Sequence, residues 1–354
     1  MSTNPVWATN AHMPLQDVAQ NQSIRVYSTC PPSGTNPEMY LDQVIRVASW
    51  SERAGCAGML IYADHSLLDP WLVAQVIIDN TKSQIPLVAV QPVYMHPFAV
   101  AKMIASLAFL YKRCVALNMI AGGFKNDLTA LNDQTPHDRR YERLLEYTVI
   151  IRRLLEEGSP VTFTGEFYQV NKLSLNPRMA PELIPEILIS GSSRAGQAAA
   201  RALGAIAVKY PEPPGEDSDG TSQQERCGVR LGIIARTGED EAWKVALDRY
   251  PEDRNGQLTH QLAMKVSDSE WHKRLAEVGK GLRGQRSVYW LHPFETYKTF
   301  CPYLVGSYES VATELNRYMA AGYRTYILDI PATEEEFEHT SMVFQLASQK
   351  AVRV

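Results

Sequence analysis

The sequence predicts an α/β protein built as a closed (β/α)8 barrel, and three observations predict it. Apolar runs that read as strands begin at residues 24, 58, 86 and 114, which is 34, 28 and 28 residues apart, and a helical pattern follows each. These runs are apolar throughout rather than alternating, as strands covered on both faces are. Four further runs bring the total to eight within 354 residues, enough chain for a barrel of roughly 250 residues plus insertions. The rival is an open doubly wound sheet, which calls for a GxGxxG turn after an early strand, and the chain has none.

Taken in order, residues 1–23 are polar and read as a tail, and residues 24–354 as one barrel domain with insertions at about 121–185 and 251–306. The first strand covers 24–29, and the helix after it carries Leu41, Val44, Ile45 and Ala48 at helical spacing before ending at Gly55. The second strand covers 58–62; Asp69-Pro70 then supplies an N-cap followed by proline at the first helical position. Residues 86–90 form the third strand, His96-Pro97 opens a helix with Val100, Ile104, Leu107 and Tyr111 on one face, and 114–120 form the fourth strand. A loop at 121–136, a long helix at 137–157 and a hairpin at 161–170 turning at Thr164-Gly165 interrupt the rhythm. The fifth strand, 186–190, runs into Gly191-Ser192-Ser193 and a helix to Leu203, and the sixth covers 205–209.

Residues 211–225 are polar and rich in Pro and Gly, so they read as a mobile surface loop where a helix is due. The seventh strand covers 228–236, Thr237 caps a helix bearing Trp243, Leu247 and Tyr250 on one face, and 258–282 read as helical. Residues 289–304 are aromatic without a clear period. Ser307 caps a helix ending at Gly322, 323–329 form the eighth strand, and Thr333 with Glu336 makes a capping box for the last helix.

Composition excludes several classes. With 35 Lys and Arg against 39 Asp and Glu, a net charge of −4 and no basic run, phosphate-backbone recognition is not expected, so no nucleic-acid partner is. Five scattered cysteines with no CxxC spacing argue against a disulfide scaffold, and no apolar run approaches the roughly 18 residues that cross a bilayer. Nothing near the start reads as a secretory signal, so a soluble, cytoplasmic protein is expected.

In such a barrel, catalytic groups lie where strands end. Gly191-Ser192-Ser193 is the most informative such place: a strand entering a helix there offers free N–H groups, two hydroxyls and a positive dipole end, an anion site if the serines do more than cap. His137 and Tyr141 share a helix face, and either look into a site or are satisfied structurally. Asp64-His65 has no second histidine at ligand spacing, so no metal is expected, and there is no GxSxG elbow. Residues 289–304 hold Trp290, His292, Phe294 and Tyr297, which form either a lid over a substrate or a permanently packed loop.

Five segments together resemble the bacterial luciferase-like flavin monooxygenases, nearest the alkanesulfonate monooxygenase branch. They are DQVIRVASWSERAGCAGMLIYADHSLLDPW (42–71), CVALNMIAGG (114–123), HDRRYERLLEYT (137–148), ILISGSSRAGQAAA (187–200) and VRLGIIARTGEDEAW (229–243). The resemblance implies a luciferase-like TIM barrel that binds reduced FMN, supplied by a separate NAD(P)H-dependent flavin reductase, and that assembles as a homodimer or homotetramer. It places Tyr62 and Ala63 against the flavin ring and Asn118 and Ala121 along its edge, and Gln91, at the end of the third strand, is a further candidate for binding the cofactor. His137 and Tyr141 would line the ring and ribityl-phosphate side, and Gly191, Ser192 and Ser193 would hold the phosphate. Arg230, with His137 and Asn118, would take the catalytic role.

The chain departs from that branch on the substrate side. Gly232 stands for a histidine, Ile330 for a tyrosine, Leu68 for a cysteine, and the Thr29-Cys30 stretch for another histidine, while residues 289–304 replace the loop that closes over sulfonate. The expectation is a two-component monooxygenase that uses oxygen on a small organic substrate other than a simple alkanesulfonate. The alternatives are a deazaflavin-dependent dehydrogenase or reductase, and a non-catalytic flavin-binding protein.

Overall fold

The computed structural model describes residue 15 and residues 24–34, 36–123, 125–211, 226–266, 270–282 and 286–351. Strand β1 (Arg25–Thr29) leads to helix α1 (Pro37–Arg53), followed by β2 (Gly58–Ile61), α2 (Pro70–Asn80), β3 (Ile85–Val90), α3 (Pro97–Tyr111) and β4 (Ala116–Met119). Next come α4 (Lys125–Ala130), α5 (His137–Glu156), the hairpin β5 (Val161–Thr164) and β6 (Gln169–Leu173), β7 (Ile187–Ser190), α6 (Arg194–Leu203) and β8 (Ile206–Lys209). The rest comprises β9 (Cys227–Arg236), α7 (Glu239–Arg249), α8 (Arg254–Val266), α9 (Glu270–Leu282), β10 (Tyr289–Trp290), α10 (His292–Glu295), β11 (Tyr303–Ser307), α11 (Tyr308–Ala320), β12 (Tyr323–Leu328) and α12 (Glu335–Ala351).

The barrel is closed and parallel. Its ring runs β1-β2-β3-β4-β7-β8-β9-β12 and returns to β1, where Val26 lies beside Tyr326. The ring is filled by Tyr27, Leu60, Leu87, Ala116, Leu188, Ile206, Val208 and Ile327, drawn from seven strands and packed as one buried cluster. Strand neighbours of these residues, such as Met59, Val88, Leu117 and Ile189, point outward into the layer beneath α1, α2, α3 and α5. Alternation thus gives every ring strand an inner and an outer apolar face, which is why the strand sequences show no polar alternation.

Local signals set the helix starts. Asp69 accepts from the Trp71 N–H at 2.8 Å, His96 Nδ1 from Phe98 at 3.2 Å, and Ser307 from Ser310 at 3.1 Å. Other expectations need correction. Helix α1 buries Tyr40, Val44, Val47, Ala48 and Ser51, and Leu41 is exposed, so the inner face is rotated from the one read in the sequence. Gly238, not Thr237, caps α7, whose buried residues are Ala242, Trp243 and Ala246, with Leu247 exposed. Thr333 and Glu336 make no capping box, because the Glu336 carboxylate is taken by Arg236 at 2.6 Å and Arg249 at 2.5 Å. The 121–136 loop contains α4, and the helical stretch read at 258–282 comprises α8 and α9, starting at Arg254.

The aromatic segment holds more structure than its sequence shows: β10 pairs with β11, and β11 runs parallel to the second half of β9, setting Tyr303 beside Gly232. Of the expected tail only Leu15 is described, and it is buried, 1% exposed, in the cluster with Ile24 and Val26. The expected loop at 211–225 lies outside the described residues beyond Pro211. Among the described residues, no helix is long and apolar enough to cross a membrane.

Candidate active site

Counting two residues beyond the plug that fills the barrel places a polar layer at its C-terminal mouth, since alternate strand residues face the same way. The layer is Thr29 after Tyr27, Tyr62 after Leu60, Asn118 after Ala116, Ser190 after Leu188 and Asp329 after Ile327. Arg230 joins it from β9, where it pairs in register with Ile327.

One arc of the mouth is built by β3, β4, β7 and α5. Ser190 donates to Asn118 Oδ1 at 2.7 Å, tying β4 to β7. Gln91 lies buried against Gly122, where an added Cβ would come 3.3 Å from Gln91 Nε2. The Tyr141 hydroxyl occupies the place a side chain on Gly191 would take, and a Cβ added to Gly196 would come 3.1 Å from the same ring. His137 stands edge-on to Tyr141 at 5.3 Å and makes a 2.7 Å hydrogen bond with Asp138. Ser193 is the N-cap of α6, accepting from Gly196 at 3.2 Å, whereas the Ser192 hydroxyl is buried with no partner. An orphaned hydroxyl at the positive end of a helix is what a bound oxyanion would satisfy. Ala121 is buried just after β4, and Ala63, half-buried, directly follows Tyr62 of the opposite arc.

The opposite arc centres on Arg230. Its guanidinium lies 5.0 Å from the Tyr62 ring centre, donates to the Tyr62 hydroxyl, and sits 3.8 Å from Asp329 Oδ1. Asp329 Oδ2 accepts from Tyr303 at 2.8 Å, and the Tyr303 hydroxyl is 2.6 Å from that of Tyr250. Burial raises the Tyr62, Tyr210, Tyr250 and Tyr303 phenols and the Cys301 thiol above their ordinary values, so all stay protonated near neutrality. Burial acts to lower Arg230, but Tyr62, Tyr210, Cys301 and Asp329 together hold it above its usual value. Tyr303 fills the space beside Gly232, where any Cβ would fall inside its ring.

The structure therefore sets Gln91, Asn118, His137, Tyr141, Gly191, Ser192 and Ser193 along one arc and Tyr62 and Arg230 in the other, where Asp329, at the end of the eighth strand, is joined by Tyr303, Tyr250, Tyr210 and Cys301. Asp329 and Tyr210 were legible by counting in twos from the plug; Tyr303 was not, because β11 is not a ring strand. The four aromatic positions expected as a lid divide. Trp290 and Phe294 are core residues, packed on Trp243 at 5.5 Å and His260 at 4.7 Å, and His292 stacks on Trp290. Tyr297 alone leads toward the mouth, through Phe300, which meets the Tyr62 ring edge-on at 6.3 Å. Among the described residues, no group of three or more His, Cys, Asp and Glu could hold a metal ion.

Residues 24–325 match the model of the luciferase-like monooxygenase family. The chain is 36% identical over 313 residues to the monooxygenase BtrO of Niallia circulans, named for 4-(gamma-L-glutamylamino)butanoyl on the BtrI acyl-carrier protein; the match covers 86% of this chain and 91% of that one. In fold it resembles the oxygenating constituent of 3,6-diketocamphane monooxygenase from Pseudomonas putida, solved with FMN, at a TM-score of 0.65, 15% identity and coverage of 92% and 98%. It also resembles an F420-dependent secondary alcohol dehydrogenase holding an F420-acetone adduct, at a TM-score of 0.62, 16% identity and coverage of 92% and 99%. The chain belongs to the luciferase-like monooxygenase family of flavin-dependent enzymes.

Proposed function

We propose that this enzyme is the oxygenase of a two-component system, receiving reduced FMN from a separate NAD(P)H-dependent flavin reductase and oxygenating a small organic substrate other than a simple alkanesulfonate. One observation carries the FMN reading: the buried, unpartnered Ser192 hydroxyl at the N-terminus of α6, with Tyr141 seated on Gly191 beside it. Ser192, Ser193, Gly191 and Tyr141 would hold the phosphate, and Tyr62, Ala63, Gln91, Asn118, Ala121 and His137 the ring and its edge. When bound, reduced FMN supplies the electrons that activate oxygen.

The chain's own groups do the rest. Tyr62 accepts from Arg230, which leaves its own hydrogen free to donate toward the mouth, and burial keeps that hydrogen in place. Phe300 meets the Tyr62 ring edge-on and Tyr297 backs Phe300, so this side of the mouth is aromatic. The departures at Gly232, Ile330 and Leu68 support a substrate outside the sulfonates, and BtrO's acyl substrate supports a carbon skeleton. Assembly as a homodimer or homotetramer and a cytoplasmic setting belong to the same proposal.

The test compares FMN with riboflavin. Ser192→Ala removes a hydroxyl with no internal partner, so stability should hold while FMN binding falls about 10- to 100-fold and riboflavin binding is unchanged, as expected for one charge-assisted hydrogen bond. Equal loss for both ligands would place the phosphate elsewhere. Oxygen uptake during turnover separates this reading from a deazaflavin-dependent hydride transfer, which consumes none, and from a flavin binder, which turns nothing over.

A further inference from the structure

Asp329 changes what Arg230 can recognise. Both side chains are buried, each residue 8% exposed, and lie 3.8 Å apart at the mouth. Asp329 is fixed from behind by Tyr303, which is itself bonded to Tyr250 and wedged against Gly232. The other titratable neighbours of the pair, Tyr62, Tyr210, Tyr250, Tyr303 and Cys301, are held protonated and uncharged by burial. Two further buried or half-buried arginines, Arg236 and Arg249, are engaged by Glu336.

The formal charges in the cluster are therefore one positive and one negative, already facing each other. A buried cation without a partner demands an anion; a matched one does not, and a second anion would have to approach the Asp329 carboxylate at close range. One group is left over. Arg230 Nε–H is buried and has no acceptor. A single unmatched donor beside a balanced pair is satisfied by a neutral carbonyl oxygen, with Tyr62 able to offer a second hydrogen.

We propose that Arg230 and Asp329 form a charge-matched recognition unit that takes an uncharged carbonyl group of the substrate, such as an amide, ester or thioester, and rejects sulfonates and carboxylates. The proposal rests on the oxygenase reading above and narrows its substrate class.

The test is binding to the purified full-length protein without flavin, followed by saturation-transfer NMR with octanamide and octanesulfonate as probes. The wild type should give a saturable signal from octanamide and bind octanesulfonate at least tenfold more weakly. Asp329→Asn keeps the shape and removes the counter-charge, so octanesulfonate affinity should rise at least tenfold and the preference invert. Equal or tighter binding of the sulfonate to the wild type, no octanamide binding, or an unchanged ratio in Asp329→Asn would each overturn the proposal. The wild-type ratio decides even where the variant fails to fold. Normal FMN binding with a failed ratio sinks this inference alone, whereas lost FMN discrimination in Ser192→Ala sinks the cofactor reading.

Discussion

Gly232 and Tyr303 form a single fitted unit contributed by two strands. The ring sits where a side chain on residue 232 would be, and Tyr303 is only 2% exposed, so its ring has no room to retreat. Overpacking of a filled core costs about 1 to 3 kcal/mol. Gly232→Ala should therefore lower stability by about that amount in chemical denaturation, and Tyr303→Ala in the same chain should relieve the clash, so that the two changes together cost less than their sum. Strict additivity would mean that the ring is free to move aside. The neighbouring serines show a different division at this scale. Ser193 is committed to capping α6, so its replacement mixes a helix cost of about 1 kcal/mol with any ligand effect, whereas Ser192 has no internal partner and reports on a ligand alone. Sequence could name both serines but could not say which was engaged, because capping is decided by backbone geometry.

Helix α5 shows what elements owe to contacts outside their own sequence. Its start lacks a side-chain cap, Pro136 standing at that position, yet in its first two turns Tyr141 is placed against Gly191 and His137 edge-on to Tyr141. What anchors this end is Asp133 in the preceding loop, which receives Arg143 at 2.7 and 3.1 Å and Thr135 at 2.6 Å. Burial alone would raise Asp133, but these hydrogen bonds outweigh it and bring the carboxyl down to about 2. A carboxyl depressed from an unfolded value near 4 stabilises the fold above about pH 4, and the contribution fades as pH falls toward 2. Asp133→Asn should thus cost about 1 kcal/mol at pH 7 after solvent screening, and thermal unfolding of variant and wild type should converge near pH 2. A constant gap across that range would assign the loss to shape instead of charge. Periodicity was enough to find α5, the ring strands and most capped helices, since a cap and an apolar stripe are local. It missed α4, β10 and β11, which are six, two and five residues long and are fixed by what they pack against. It also misread the inner faces of α1 and α7, whose rotation is set by the sheet below them.

Closure governs the whole molecule. Because β12 returns to β1, no ring strand has a free edge, and none can peel away without opening the barrel. The plug at the axis ties the ring together, since Leu188 from β7 belongs to one buried cluster that also draws residues from six other strands. The segment outside the ring is joined differently: Phe294 packs on His260 and shares a cluster with Leu275, Tyr289 and Leu291 that reaches Val26, Val229 and Tyr326 on β1, β9 and β12 but includes none of the plug residues. Leu188→Ala should cost about 2 to 5 kcal/mol, and hydrogen exchange read by mass spectrometry should show protection falling together in β1, β2, β3, β4, β7, β8, β9 and β12. Phe294→Ala removes as much apolar surface, yet its loss of protection should stay within α8, α10 and their neighbours and leave the ring unchanged. If Leu188→Ala loosened only β7 and the strands beside it, the barrel would be a set of independently stable pairs. The two arcs of the mouth would then have no common frame to hold Asn118 and Arg230 in fixed relation.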